Sequence, residues 1–193
     1  MPEVGSENLT GYRSSWPKQA LSQLVDPQRG ITYGIVQPGQ HDPIGVPILR
    51  VNDIRNGRID VGDIRRVSPA IAQQYQRTNL RGGEVLLTVV GTIGETVVVP
   101  MNMAGWNIAR AIAVLPVLGE VSSEWVRLCL QSAELQGLMR DWCNTTVQPT
   151  LNLAEVAKLP IPIPPPATRD RVVEILGRLD DKIEVNRRIN RTL

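Results

Sequence analysis

The chain has 193 residues, of which 42% are apolar, and 21 Lys+Arg against 19 Asp+Glu leave a formal net charge of +2. This length is enough for one domain, or one domain with an appendage, to bury a core. No apolar run approaches the length that crosses a bilayer. The composition therefore excludes a membrane-spanning chain and argues against an intrinsically disordered one, while the small net charge indicates no particular partner.

The basic residues are nearly all arginine, because only three of the 21 are lysine. Guanidinium groups suit bidentate contacts with phosphates, guanine edges or carboxylates. Cys129, Cys143 and the single histidine, His41, stand at spacings that form no zinc cluster and no Cys/His pair of a usual kind. The first residues also lack a secretory signal. We therefore predict a cytoplasmic chain without a metal site.

Up to about residue 117, short apolar segments alternate with turn signals and predict a β-rich body. Strands are expected at 31–36, 46–51, 85–90, 96–99 and within 108–117. A polar stretch at 69–78 is expected to be helical. Asn56-Gly57 is a dipeptide favoured in two-residue hairpin turns, and Gly91-Thr92-Ile93-Gly94 predicts a tight connection between two β-branched strands.

The period then changes from strand to helix. Apolar residues at steps of three, four or seven predict one amphipathic helix over 122–142, with Ser122 or Ser123 at its cap. A shorter helix follows, for which Asn152 and Glu155 have the spacing of a capping box. Five prolines between 160 and 166 forbid a helix and any central strand, so a stiff connector is expected at 161–167.

From residue 168 to 193 the sequence predicts a long helix with a coiled-coil seam. The seam has four-three-four spacing and continues through two asparagines, Asn186 and Asn190; its apolar members are Val172, Leu176, Leu179, Ile183 and Leu193. The alternative is a helix that folds back on its own body. Because the pattern stops without a helix-ending signal, we expect the natural chain to continue.

Candidate catalytic residues are few, and each has a simpler interpretation. Asp60 and Asp63 lie in a polar turn, and Asp180-Asp181 lie on the predicted helix, where solvated charges are usual. His41 lies in a turn sequence and is interpreted as a surface residue. The sequence therefore predicts no general acid/base pair.

Candidate binding residues are more numerous. One group falls within nine residues at a predicted strand and turn: Arg50, Asn52, Arg55, Asn56 and Arg58. Such side chains can bind phosphates and form bidentate hydrogen bonds with base edges. A solvated hairpin with one or two salt bridges explains the segment equally well. A second, uncharged group is explained equally well by helix capping: Asn144, Thr145, Thr146 and Gln148.

Six segments, in this order, resemble the specificity subunit of type I restriction-modification enzymes: PILRVNDIRNGRID, LRGGEVLLTVVGTIGETVVVP, NIARAIAVLPV, SSEWVRLCLQS, TTVQPTL and LPIPIPPPATRDRVVEILGRLDDKIEVNRRI. The resemblance spans roughly residues 16–193. Two departures affect details: Glu84 stands where the family more often has Asp, and PPPATRDR replaces the commoner Pro-Pro-Leu followed by Glu-Gln.

This resemblance implies one target recognition domain followed by a conserved spacer helix. A full subunit has two such domains separated by two antiparallel helices, and each domain reads one half of a split DNA site. The subunit is not catalytic and binds no cofactor. It places methyltransferase subunits, which use S-adenosylmethionine, and joins an ATP- and Mg-dependent restriction subunit.

We therefore predict an α/β (α+β) fold with a mostly antiparallel or mixed sheet flanked by helices. The recognition domain is assigned to 1–160, the connector to 161–167 and the spacer helix to 168–193. Double-stranded DNA is expected to contact Tyr33, Arg55, Asn56, Arg58 and Arg110. Two rival functions are an assembly adaptor that never touches DNA and an enzyme, such as a nuclease, with an undetected site.

Two physical expectations accompany this prediction. A continuous helix over 168–193 would be roughly 39 Å long at 1.5 Å per residue, close to the roughly 34 Å of one duplex turn, so it can act as a ruler between half-sites. Since the net charge is small, DNA binding requires arginines to line one face while the acidic residues lie elsewhere.

Overall fold

The structure, a computed structural model, describes residues 16–143 and 149–192. Leu193 and the polar group at 144–148 lie outside this range. The strands are β1 (Lys18–Ala20), β2 (Thr32–Tyr33), β3 (Val46–Leu49), β4 (Ile54–Arg55), β5 (Arg58–Ile59), β6 (Arg65–Val67), β7 (Val85–Thr88), β8 (Thr96–Val98), β9 (Asn107–Ile108), β10 (Ile112–Leu115) and β11 (Pro160–Pro162). The α-helices are α1 (Pro69–Gln74), α2 (Ser123–Leu130), α3 (Ala133–Asp141), α4 (Leu153–Lys158) and α5 (Pro166–Thr192).

A four-stranded antiparallel sheet of order β2-β10-β7-β8 forms the centre of the body. Alternate side chains enter different cores, because successive residues of a strand point to opposite faces. The face toward α2, α3 and α4 carries Val85, Leu87, Ala113 and Leu115. The opposite face, toward β3 and β9, carries Leu86, Ile112 and Val114. Burial of both faces explains why these strands are continuous apolar runs.

Smaller sheets surround this centre. A mixed sheet has the order β6-β3-β9, with β6 antiparallel and β9 parallel to β3. β4 and β5 form a hairpin, and β1 pairs with β11. The predicted fold class, mixed or antiparallel sheets with flanking helices and a long C-terminal helix, is confirmed. The predicted strand at 31–36 is shorter, since only Thr32–Tyr33 pair with β10 and Ile35 forms an isolated bridge to Ala109.

The predicted hairpin turn at Asn56-Gly57 is confirmed. Both residues have positive φ, 52° and 74°, as a two-residue turn of type I′ requires. Asparagine and glycine adopt this left-handed conformation at little cost. The turn places Arg55 directly opposite Arg58 in the β4–β5 ladder.

The prediction of one helix over 122–142 is wrong, because α2 ends at Leu130 and α3 begins at Ala133. Ser132 explains the break: its hydroxyl accepts a hydrogen bond from the Leu135 N–H at 3.3 Å and caps α3. Ser122 caps α2 in the same way through the Trp125 N–H at 3.2 Å. Cys129 on α2 is buried, and burial raises the pKa of its thiol to about 12, so it packs as a small apolar residue.

Two expectations for the region after 150 also differ from the structure. Asn152 precedes α4, but its side chain makes no capping hydrogen bond, and Glu155 binds Lys158 at 3.2 Å instead of closing a capping box. In the connector, Pro160–Pro162 forms a strand at the edge of a two-stranded sheet, a position that tolerates proline. α5 begins at Pro166, because proline suits the first turn of a helix.

The helix α5 has 27 residues and is therefore about 40 Å long. Its first turns lie against the body, where Val172 and Val173 pack on the main core. The alternative of a helix folded on its own body thus holds for this part, where Val172 is half-buried. Further along, the predicted seam residues are exposed: Leu176 by 38%, Leu179 by 49% and Ile183 by 47%.

A core substitution tests this arrangement of layers. Leu130 on α2 is fully buried in the main core, so Leu130→Ala is expected to lower the free energy of unfolding by about 2–5 kcal/mol, through lost burial and the cavity left behind. The measurement is urea denaturation of the full chain. Ile44, which is 93% exposed, supplies the control, and Ile44→Ala is expected to change stability by no more than about 0.5 kcal/mol. Equal effects would contradict the fold.

Candidate nucleic-acid interface

The hairpin is fixed to the body at its turn. The Asn56 N–H donates a hydrogen bond to Glu95 Oε2 at 2.9 Å. Arg55 is exposed, whereas Arg58 is half-buried and has interactions of its own. Arg50 is occupied by an ion pair with Asp53, at 3.0 Å; the hydrogen bond to Asp53 outweighs burial and raises the pKa of this guanidinium. Arg50 therefore forms the kind of salt bridge that the second interpretation of this segment expected.

Two grooves run beside the hairpin, and both contain carboxylates. One of about 300 Å³ lies between the hairpin turn, α2 and α5, and includes Glu124, Asp180 and Asp181. The other, of about 770 Å³, includes Arg55, Arg58, Arg187 and Asp60. The hairpin arginines therefore lie beside the C-terminal helix, with negative charges close to them.

Arg127 holds α5 against α2. Its side chain, 10% exposed, contacts Glu124 Oε2 at 2.6 Å, Gln131 Oε1 at 2.9 Å and Asp180 Oδ2 of α5 at 3.0 Å. Burial lowers the pKa of this guanidinium, but hydrogen bonds and charge attraction from Glu124 and Asp180 outweigh burial and raise it. Arg127 therefore remains charged and joins the helix to the body.

The other two predicted DNA contacts lie in different surroundings. Tyr33 on β2 is half-buried, and its hydroxyl donates to the Leu151 carbonyl at 3.4 Å. Arg110 lies in the loop between β9 and β10, where its backbone N–H donates to the Ile35 carbonyl at 2.9 Å and its side chain is exposed. Tyr33 lines a groove with residues 73–78, whereas the hairpin residues line grooves beside α5.

Sequence reasoning missed a polar surface that we call the amide ridge, residues 73–81. It comprises the end of α1, a 3-10 helix (Gln76–Thr78) and the residues that follow. Its exposed side chains are amides and guanidiniums: Gln73, Gln74, Gln76, Arg77, Asn79 and Arg81. The available signal was three glutamines within four residues, followed closely by an asparagine and two arginines.

The amide ridge is flanked by two grooves of about 520 and 370 Å³. The first includes Asn79 and Arg81, the second includes Tyr33 and Arg77, and Gln73 and Gln76 line both. Among the described residues, neither groove is lined by a carboxylate. The ridge is thus free of the negative charges that border the hairpin.

The buried side chain of Asn107 holds the amide ridge in place. This side chain is 1% exposed. Its Oδ1 accepts from the Thr78 hydroxyl at 2.7 Å and from the Ile108 N–H at 2.8 Å, while its Nδ2 donates to the Tyr75 carbonyl at 3.2 Å. One buried amide therefore ties the ridge to strand β9 at two points, the backbone carbonyl of Tyr75 and the side chain of Thr78.

A buried ion pair provides the second anchor. Arg29 Nη1 lies 2.7 Å from Glu84 Oε1, with 10% and 4% of the two side chains exposed. Arg29 also donates to the Asn79 carbonyl at 3.0 Å, and Arg77 donates back to the Arg29 carbonyl at 2.5 Å. The Arg81 N–H donates to Glu84 Oε1 at 2.8 Å. The pair therefore holds the C-terminal half of the ridge in one conformation.

Within the described ranges, no group of three His, Cys, Asp or Glu side chains is arranged to hold a metal ion. No helix in the same ranges is long and apolar enough to cross a membrane. His41 is an exposed turn residue whose Nδ1 accepts from the Arg66 N–H at 3.3 Å, in agreement with its interpretation as a surface histidine.

Comparison with known proteins identifies the family. Residues 38–193 match the family model of the type I restriction modification DNA specificity domain. The chain belongs to this family. The type I restriction enzyme EcoBI specificity subunit of Escherichia coli is 30% identical over 165 residues, which is 85% of this chain and 35% of that protein. This chain thus spans about a third of the length of that relative, and its family membership makes it a type I restriction modification DNA specificity domain.

Solved structures confirm the fold of the specificity domain. The S subunit of a type I system from M. genitalium aligns with 100% of this chain and 45% of its own, at a TM-score of 0.62 and 14% identity. The HsdS subunit from Thermoanaerobacter tengcongensis aligns with 97% of this chain and 42% of its own, at a TM-score of 0.63 and 19% identity. A third structure, described as the structural basis of complex assembly and conformational transition of the type I R-M system, aligns with 97% of this chain and 43% of its own. Its TM-score is 0.66 and its sequence identity is 19%.

We expect the ion pairs of Glu84 and Glu134 to contribute differently to the free energy of unfolding of the domain. Glu84→Ala leaves Arg29 buried without its counter-charge and is expected to lower the free energy of unfolding by about 3–5 kcal/mol. Glu134 pairs with Lys18 at 2.6 Å on the surface, with 60% of its side chain exposed, so Glu134→Ala is expected to cost about 0–1 kcal/mol. Urea denaturation of both variants measures the difference. A Glu84→Ala variant as stable as Glu134→Ala would show that the ridge anchor is not a stabilising pair.

Proposed function

We propose that this specificity domain reads one half of a bipartite DNA site and positions methyltransferase and restriction subunits through pairing of α5 with a second recognition half. The single observation that carries the proposal is the exposed apolar stripe on α5. The family membership supports the DNA-reading part, and the stripe supports the pairing part.

The stripe is too exposed to belong to the core of this domain. Ile175, Leu176, Leu179 and Ile183 are each between 38% and 49% exposed, and they are separated by one to four residues. Since successive helical residues turn by about 100°, these four side chains cluster on one side of the helix, next to the side that carries Val173 and Asp180 against the body. A second helix of the same character would bury the stripe in an antiparallel pair.

The dimensions suit a spacer. A helix of about 40 Å exceeds one duplex turn, about 34 Å, so a pair of such helices would hold two recognition domains about one turn apart. Asn186 and Asn190 continue the stripe and are exposed. Polar residues in a seam favour one register at some cost in stability.

The remaining parts of the proposal concern contacts and cofactors. Tyr33, Arg55, Asn56, Arg58 and Arg110 are proposed to contact bases or phosphates. S-adenosylmethionine, ATP and Mg would bind to the partner subunits and not to this chain. Because the proposed substrate is double-stranded DNA of the cell, we place the complex in the cytoplasm.

Methylation mapping of the complex reconstituted from the full chain and its methyltransferase subunits tests the proposal. The expected result is adenine methylation at a split motif with a gap of fixed length. A palindromic motif would mean that two copies of this chain pair, and an asymmetric motif would mean that a different second half is used. Methylation at a continuous motif would contradict the proposal.

The role of α5 is tested in the same complex. Leu179→Asp puts a charge into the stripe, so it is expected to prevent pairing and abolish methylation of the split site while the domain stays folded. Leu118 is 60% exposed and lines neither the grooves beside the hairpin nor those of the amide ridge, and Leu118→Asp serves as the matched control that retains activity. Full methylation by Leu179→Asp would exclude pairing through the stripe.

A further inference from the structure

We propose that the amide ridge is the surface that reads base edges, and that its selectivity resides in Gln73, Gln76, Asn79 and Arg81. This inference rests on the proposed function, because it names the surface through which the half-site is read. Tyr33, which lines a groove of the ridge, would contribute to the same surface.

The chemistry of the ridge fits base recognition. Asparagine and glutamine pair bidentately with adenine, and arginine pairs bidentately with guanine. Within the described residues, the side chains of Gln73, Gln76 and Asn79 make no hydrogen bond. Gln131 and Gln136 show the contrast, because their side chains form hydrogen bonds with Arg127, Gly94 and Leu130. The ridge amides therefore remain available to a ligand.

The charge distribution favours the ridge over the hairpin. The ridge grooves contain Arg77 and Arg81, and no carboxylate lines either groove in the part of the chain that the structure describes. The hairpin grooves include Glu124, Asp180 and Asp60. Carboxylates repel the phosphates that must approach when a base is read, so the ridge is the more favourable surface for close approach of the duplex.

The anchoring of the ridge supplies rigidity. Four buried polar side chains bind its backbone or side chains: Arg29, Thr78, Glu84 and Asn107. Burial of charged groups contributes little net stability, so their common effect is to fix the position of an irregular surface segment. A fixed segment loses less conformational entropy on binding and presents its donors and acceptors in one geometry.

The same surface does not fit a protein partner. Protein interfaces depend on apolar and aromatic anchors at their centre. The large apolar side chains that are exposed in the described ranges lie elsewhere, for example Ile44, Met101 and Leu118 in addition to those of α5. The occupant that matches amides and guanidiniums without acids is a nucleic-acid duplex.

The experiment uses the reconstituted methyltransferase and a panel of duplexes in which each base pair of the mapped half-site is replaced in turn. Gln76→Ala, Asn79→Ala and Arg81→Ala are each expected to lower discrimination at one base pair by about tenfold or more, with the gap length unchanged. If the site is palindromic, each variant is expected to lose discrimination at the equivalent base pair of both half-sites. Gln23→Ala and Arg140→Ala, exposed residues of the same types outside the ridge, serve as controls that retain the motif.

The outcomes separate this inference from the proposed function. If the wild-type complex methylates no split site, the proposed function fails. If the wild-type complex methylates a split site and the ridge variants keep full discrimination at every position, the ridge does not read bases. A uniform loss of rate on all duplexes would also overturn the inference, because it indicates backbone contact. Relaxed discrimination in Arg55→Ala alone would assign reading to the hairpin.

Discussion

The guanidinium of Arg127 joins the recognition body to the C-terminal helix. Arg127 is nearly buried and binds Glu124 and Gln131 on its own helix and Asp180 on α5. Charge-assisted hydrogen bonds of this kind are directional, so the cluster fixes how α5 is oriented, while Val172 and Val173 supply the apolar contact. The direction of α5 relative to the rest of the domain depends on this junction.

Buried polar groups serve the same purpose under the amide ridge. Arg29, Glu84 and Asn107 bind the backbone of an irregular segment to the central sheet and to β9. Glu84 stands where the resemblance predicts Asp, and its Oε1 still accepts from both Arg29 and the Arg81 N–H. At both sites, buried charge fixes where a segment lies, and removal of one partner is costly because the other is left buried without its counter-charge.

Much of the fold followed from local pattern. β-branched runs predicted β7 and β8, and Asn56-Gly57 predicted the hairpin because both residues must adopt positive φ. The break between α2 and α3 was missed, since Ser132 reads equally as a helical residue and as a cap until its hydroxyl partner is known. Pro160–Pro162 was predicted as a connector because a strand can only be inferred there once β1 is placed beside it.

Less of the candidate site than of the fold could be predicted from the sequence. The arginines of the hairpin could be identified from the sequence, but Glu124, Asp180 and Asp181, which line a groove with the hairpin turn, come from α2 and α5, more than sixty positions away in sequence. The amide ridge was noted only as a polar helical stretch, because its anchors, Arg29 and Asn107, lie on either side of it in sequence and meet it only in the folded chain. Long-range polar contacts of this kind have no periodic signal.

We expect the amide ridge and α5 to behave as one rigid unit, and methylation of duplexes with systematically varied gaps between the half-sites measures that rigidity. We expect the complex containing wild-type chain to accept one gap length, and Asp180→Ala, which frees α5 from Arg127, to accept neighbouring lengths as well. Asp181→Ala, which changes the adjacent carboxylate, should keep the single gap. Equal methylation across gaps by the wild-type complex, or an Asp180→Ala profile as narrow as that of Asp181→Ala, would contradict the account.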